Sequence, residues 1–386
     1  MSSPTRPSPK SFLKLSSDIA SFYGFRSIHD LEAIAPQEKI RGMHSFATAA
    51  RVGTAVVNTK PTVPELSGEP ALFYYATLAP SHLPASLPQR DSAEFGLSIV
   101  GSSESMGEVL LIKVITAILE EWGSTLSCIR INALGDRDSQ QRFARELTLY
   151  LRKHTAVFES AAGKMSDNPF VTYQHAAAHC SDILIDAPCS INFLSEKSRI
   201  HFRTILEQLE QLNLPYRIDS SLMSDEREAR VLFALDLADT DTTIYASLGG
   251  RYDDFVRRLT GRKESATVHG SIFFHRKGLE RTHCAVRSKT PSAKIYFVQL
   301  GSQAKLQGLT VLDMLRTARI PSLQSFDSRH LSIQLAQARK ARVSHVLIMG
   351  QREVLDKTII VRSADERAQT TIALAQLPKY LKTLRV

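Results

Sequence analysis

Leu248-Gly249-Gly250-Arg251-Tyr252-Asp253-Asp254-Phe255 joins an apolar run, Thr243 to Leu248, to two adjacent glycines, a cation, an aromatic ring and two carboxylates. Thr243 to Leu248 reads as a strand, and so does Val231 to Leu237 before it. Glycine has no Cβ to obstruct the backbone, so the pair predicts a tight turn beside the strand. Arg251 and Asp253 are close enough in sequence to pair locally. Beyond the segment, Arg257-Arg258, Arg262-Lys263, Arg276-Lys277 and Arg281 form a basic stretch, either a solvated face or a phosphate-contacting patch.

Toward the N-terminus, Ser195 to Leu212 and Ser139 to His154 carry apolar residues at helical spacing, and Ser105 to Trp122 predicts a long helix. Leu126 to Ala133 reads as a strand. Residues 40 to 105 are broken by Pro61, Pro64, Pro70, Pro80, Pro84 and Pro88 and predict antiparallel strands and loops. Ser16 to Tyr23 looks helical, stopped by Gly24-Phe25 before a short strand-like run from Arg26 to Leu31. Met1 to Lys14 has no acid and no apolar core, so residues 1–14 are expected to be a disordered leader. Toward the C-terminus, Arg, Lys, Ser, Thr and Pro cluster at 281–293, the expected linker between a domain at 15–280 and another at 294–386. Past it, Lys294 to Leu300, Lys305 to Ala318, Ser322 to Phe326, Leu331 to Lys340, Val346 to Met349, Thr358 to Val361 and Thr370 to Leu384 alternate strand and helix. That alternation predicts a small α/β domain with a largely parallel sheet.

The chain has 386 residues, 43% hydrophobic and 23% charged, which is ordinary globular composition with length for two or three domains. Cys128, Cys180, Cys189 and Cys284 are scattered with no CxxC pair, so neither a disulfide framework nor a zinc ribbon is expected, and a reducing cytoplasm fits best. No apolar run is long enough to span a bilayer. A formal net charge of +9 favours a polyanionic partner, because a basic surface gains affinity by releasing counterions from phosphates.

Ordered motifs along most of the chain are similar to those of the histidyl-tRNA synthetase family. Gly249-Gly250-Arg251-Tyr252-Asp253 is the most specific of them. Tyr23-Gly24-Phe25 resembles the family's opening YGF, and Ile131-Asn132-Ala133-Leu134-Gly135-Asp136 its INSLGD. Asn168-Pro169, Asp186-Ala187-Pro188 and Leu214-Pro215-Tyr216-Arg217-Ile218-Asp219 follow in the expected order, and Ala336 to Lys340 with Val346 to Gly350 resembles the family's anticodon-binding domain. The resemblance implies an α+β class II synthetase-like core, an antiparallel sheet of six or more strands flanked by helices, followed by a small α/β anticodon-binding-like domain. It also implies a homodimer.

Amino-acid activation brings an ATP phosphate against a carboxylate, so such a site needs cationic clamps. The resemblance places the motif 2 arginine at Pro80 and a nearby glutamate at His82, and a proline side chain cannot bind phosphate. The glutamine and glutamate that recognise histidine fall at Glu94 and Ser98. The arginine of RGLDYYT falls at Ser224, and the motif 3 arginine at Lys277, a point charge that stacks poorly. Arg51-Val52-Gly53-Thr54 resembles RPEGT without its glutamate. The expectation is a degenerate aminoacylation site with no catalytic residue set intact, in a non-catalytic RNA-binding, regulatory or accessory protein. Two alternatives stand: a divergent active histidine-tRNA ligase using ATP and magnesium, and a relative of the regulatory subunit of ATP phosphoribosyltransferase, though that family usually drops the anticodon domain.

His175 and His179, four apart beside Cys180, have helix-face spacing for a metal but lack the glutamate of HExxH, so incidental histidines and no metal are expected. Arg316, Arg319, Arg329, Arg339, Lys340, Arg342 and Arg352 are candidates to track an RNA backbone, which gives affinity without sequence choice. The expected partners are a second copy of the chain and tRNA or another RNA, or else a protein, rather than DNA or a membrane.

Overall fold

Aromatic and β-branched strands build the N-terminal domain around one eight-stranded sheet. The computed structural model describes residues 8–28, 70–78, 92–156, 168–179, 186–223, 229–238, 244–260, 266–275, 293–325, 330–363 and 369–384. The strands are β1 (Arg26–Ser27), β2 (Ala71–Leu78), β3 (Ser92–Val100), β4 (Leu126–Ala133), β5 (Tyr216–Ile218), β6 (Val231–Leu237), β7 (Ile244–Arg251) and β8 (Thr267–His275), in the order β1-β2-β3-β8-β7-β6-β4-β5. All pairings between β2 and β4 across the middle are antiparallel, as expected. The two edge strands pair in parallel, β1 with β2 and β5 with β4.

One face of the sheet is covered by α1 (Pro9–Phe22) and α2 (Met106–Trp122). The apolar residues of α2 go almost all round the helix, which suits a helix enclosed on every side. Gly123 ends it in the left-handed conformation, where an L side chain would be strained. Phe12 of α1 stacks on Phe274 with ring centroids 5.1 Å apart and meets Trp122 edge-on at 5.4 Å. This corrects the expected leader: residues 9–14 belong to α1. Ser8 caps the helix reciprocally with Ser11, Pro9 takes a first-turn position, and Phe12 and Leu13 are buried. The remaining helices of this domain are α3 (Arg137–Lys153), α4 (Pro169–His179), α5 (Glu196–Gln211) and α6 (Asp253–Thr260).

The glycine pair is also corrected. Gly249 and Gly250 lie inside β7, paired with β6 and β8, and neither has a positive φ. Their use is close approach: a Cβ at Gly249 would lie 2.4 Å from the His269 carbonyl oxygen and from the Phe233 ring, and one at Gly250 2.5 Å from the Val231 carbonyl oxygen.

The expected linker lies outside the described residues except for Ala293. The second domain runs β9 (Ile295–Gln299), α7 (Ser302–Thr317), β10 (Ser322–Gln324), α8 (Leu331–Lys340), β11 (His345–Met349), α9 (Gln351–Asp356), β12 (Thr358–Ser363), β13 (Gln369–Ala373) and α10 (Leu377–Thr383). Its sheet has the order β10-β9-β11-β12-β13, and only the β10-β9-β11 half is parallel. The stretch from Thr370 to Leu384 is therefore a strand and a helix, divided after Ala373, with Pro378 in the first turn of α10.

The two domains share one apolar core: Phe297, Leu309 and Leu312 belong to the same buried cluster as Leu110, Ile112 and Phe274. Polar contacts ring the seam. Lys113 pairs with Asp313 at 2.8 Å, Arg316 with Glu121 at 2.7 Å and Asp313 at 2.9 Å, and the buried Tyr23 hydroxyl donates to Asp313 at 3.2 Å. Burial and the neighbouring carboxylate push the Tyr23 phenol well above its ordinary range.

Candidate functional site

Side chains alternate across a strand, so Glu94, Gly96 and Ser98 of β3 share one face. In register with them stand Tyr75 of β2, opposite Gly96, and His269 and Ser271 of β8, opposite Ser98 and Gly96. Phe95, Leu97 and Ile99 point the other way, into the main core. The five side chains Tyr75, Glu94, Ser98, His269 and Ser271 are all buried and hydrogen-bonded to one another. Tyr75 donates its hydroxyl to Glu94 Oε1 at 2.5 Å, and Ser271 donates to the same oxygen at 2.9 Å. The Tyr75 and Ser271 hydroxyls are 3.0 Å apart. His269 meets Ser98 Oγ through Nδ1 at 2.8 Å and Ser271 Oγ through Nε2 at 3.1 Å. Bonds from hydroxyls to a carboxylate are short and strong, and they offset the cost of burying Glu94. The Tyr75 ring lies directly over Gly96, where an added Cβ would come within 2.1 Å of it.

A second buried cluster holds the guanidinium of Arg251, which is 1% exposed beside a fully buried Glu108. Arg251 makes a two-pronged pair with Glu108, Nε to Oε1 at 2.6 Å and Nη2 to Oε2 at 2.7 Å. Its remaining donors reach the carbonyls of Ser102 and Glu104, each at 2.9 Å, and Asp253 at 3.3 Å. The expected pairing with Asp253 is present but secondary. His201 Nε2 lies 2.8 Å from Glu108 Oε1. Burial pushes the Glu108 carboxyl up, but the charge and hydrogen bonds of Arg251, helped by His201, bring it down to about 2. The Arg251 guanidinium is held above its ordinary value by the same carboxylates against the opposing effect of burial. Tyr252 is buried too, and Asp253 accepts from the Thr267 amide at 2.9 Å. All five residues of the glycine-rich motif thus serve the packing of β7 and the start of α6.

Of the remaining candidates, Pro80, His82, Ser224, Lys277 and Arg329 lie outside the described residues. Glu94 and Ser98 are brought together in the five-residue network. That network has one carboxylate and neither lysine nor arginine, a donor set that does not fit a magnesium-bound triphosphate. His175 and His179 both lie on α4. Among the described residues no group of three or more His, Cys, Asp or Glu stands close enough to hold a metal.

The C-terminal cations divide. Arg316 is tied into the domain seam with its side chain 12% exposed, which corrects its assignment to an RNA-facing set. Arg319 and Arg342 are exposed, each one residue past the C-cap of its helix, α7 and α8, and each in the left-handed conformation with φ of 59° and 52°. They occupy equivalent places, because Ser322 and His345, each three residues on, both pair with Ile295. Exposed Arg339 and Lys340 end α8 beside Arg342. Arg352 belongs to the opposite end of the sheet, following β11, with its side chain 89% exposed.

Sequence reasoning missed Tyr75, His269, Ser271 and Glu108. Their signal was polar residues in otherwise apolar runs: Glu94, Ser98, His269 and Ser271 at even spacing in two strands, and Glu108 near the start of an apolar helix.

This eight-stranded sheet flanked by helices, followed by a mixed α/β domain, defines a class II synthetase-type core with an anticodon-binding domain. Residues 294–384 match the family described as Anticodon binding domain. The Histidine--tRNA ligase of Latilactobacillus sakei is 25% identical over 341 residues, covering 85% of this chain and 77% of that protein. That of Rubrobacter xylanophilus is 26% identical over 277 residues, covering 69% and 62%. The apo histidyl-tRNA synthetase of S. aureus matches in structure with a TM-score of 0.48 and 19% identity, over 99% of this chain and 100% of that one. In sequence the chain is thus similar to histidine–tRNA ligases over most of its length, and its C-terminal region is an anticodon-binding domain.

Proposed function

We propose that the chain is a histidyl-tRNA synthetase-like protein whose aminoacylation site has become a packed sheet face, and that it acts as a non-catalytic RNA-binding accessory protein, homodimeric and cytoplasmic. The observation that carries this reading is the five-residue network. Glu94 and Ser98, at the positions the family resemblance gives to histidine recognition, are hydrogen-bonded to Tyr75, Ser271 and His269 of the same chain. The replacements at Pro80, His82, Ser224 and Lys277 point the same way. Loss of one transition-state clamp costs roughly a hundred- to thousandfold in rate, and several are replaced together.

The purified protein is expected to give no histidine-dependent ATP–pyrophosphate exchange above a buffer blank. Exchange above that level overturns the reading in favour of an active ligase, the activity in the names of its relatives. RNA is the favoured partner because the anticodon-binding domain is kept and Arg319, Arg339, Lys340 and Arg342 form an exposed basic rim at one end of its sheet. An RNA affinity that does not change with salt turns the reading toward a protein partner.

A further inference from the structure

We infer that Tyr75 is a tethered occupant of a ring-binding place on the sheet face, and that removing its side chain opens a pocket for a free phenol or imidazole. The inference rests on the reading of this face as a converted amino-acid site. A sheet face that serves only for packing is apolar, whereas here a carboxylate, an imidazole and two hydroxyls are buried around one phenol ring. The floor below the ring is Gly96, where an added Cβ would come within 2.1 Å of it. Glu94 and Ser271 converge on the phenol oxygen at 2.5 and 3.0 Å. The His269 ring lies parallel to the phenol ring, with centroids 5.8 Å apart. Flat support, a carboxyl acceptor and a hydroxyl partner at the polar tip are what a small planar ring with one hydrogen-bond donor requires. The strand supplies that ring itself, so the site is filled without a ligand.

The test uses the full chain and its Tyr75→Gly, Tyr75→Ala and Tyr75→Phe variants in thermal unfolding, with phenol or imidazole added. Tyr75→Gly and Tyr75→Ala are expected to unfold at lower temperature than the parent. Phenol at about ten times its Kd should then raise their Tm by about 3 °C. The parent and Tyr75→Phe, in which the ring place is full, should show no such rise. A second measurement does not depend on ligand: Gly96→Ala should lower the Tm of the parent but leave Tyr75→Ala unchanged, because the added methyl then meets empty space. No response of either truncated variant to phenol or imidazole overturns the inference. Equal destabilisation by Gly96→Ala in both backgrounds overturns it too. Either result, with pyrophosphate exchange still absent in the parent, leaves the non-catalytic reading standing. A Tm rise of the parent with L-histidine overturns the inference and the reading of this face as packed, while catalysis is still decided by the exchange assay.

Discussion

Arg251 in the core and Arg342 in the C-terminal domain show two fates of a cation in this molecule, sealed against a carboxylate or left exposed. In the core, Arg251 is sealed against Glu108, Arg230 against Asp254, and Arg130 against Asp219 and Asp236. In the C-terminal domain, Arg319, Arg339, Lys340 and Arg342 stand exposed, and none has an ion pair among the described residues. A net charge of +9 is therefore a poor guide to which surface meets a polyanion. What counts is which cations lack a carboxylate within reach. The core's paired charges hold its fold together, while those of the rim remain available to a phosphate backbone.

The strongest way to break this contrast is Arg251→Ala, which leaves Glu108 charged and buried without its partner. Chemical denaturation should show a loss of about 3–5 kcal/mol, and a loss near zero would mean that the pair contributes little. Arg316→Ala should cost about 1–3 kcal/mol by removing charged hydrogen bonds across the seam, while leaving RNA affinity unchanged in a filter-binding titration. A drop in RNA affinity without a drop in stability would return Arg316 to the RNA-facing set. Replacing Arg319, Arg339, Lys340 and Arg342 together by alanine should reverse that pattern. Stability should move by about 0.5 kcal/mol or less per site, while the slope of log affinity against log salt falls by about 0.7 for each lost contact to single-stranded RNA.

The smallest effect is expected at Asp136, which caps α3. Partial burial raises this carboxyl, but the Ser195 hydroxyl, the amide and hydroxyl of Ser139, and the charge of Arg230 bring it from 3.8 to about 2. A depressed carboxylate contributes stability that is present above its unfolded value and lost as pH falls through its folded one. Asp136→Asn keeps the capping oxygen that accepts from Ser139, but removes the charge and turns the oxygen that accepts from Ser195 into an NH2 donor. It should cost about 0.3–1 kcal/mol at neutral pH, and the gap should close between pH 3.8 and about 2 in urea titrations. A gap that persists below that window would assign the effect to lost geometry.

Legibility in the sequence followed the range of the interaction. Leu126 to Ala133, Val231 to Leu237 and Leu331 to Lys340 were readable to the residue, because periodicity and flanking breakers are local signals. The N-terminal helix began seven residues earlier than Ser16 because Ser8 and Pro9 supply a start signal in a segment whose composition otherwise reads as leader. The run from Thr370 to Leu384 hid a strand because β13 lies at the sheet edge, pairing among the described residues with β12 alone, and has a largely polar, exposed surface that shows no apolar face. The candidate site was legible as two positions, Glu94 and Ser98, and not as a network. Tyr75 reads as one more aromatic in Phe73-Tyr74-Tyr75 until β2 is set beside β3 with Tyr75 opposite Gly96.

By itself the sequence determined the kind of fold, the order of its elements and its division into a core and an α/β domain, since these depend on local patterning and on motifs that survive in order. The tertiary structure alone decided what Gly249 and Gly250 are for, which arginines are already committed, and what fills the face below Tyr75. Each of those depends on residues far apart in the chain, brought together by strand register and domain docking: Arg251 meets Glu108, Tyr75 meets Ser271, and Arg316 meets Glu121. A charge or a ring has no assigned role until its neighbour in space is known, because burial and pairing set its energy more than its own chemistry does.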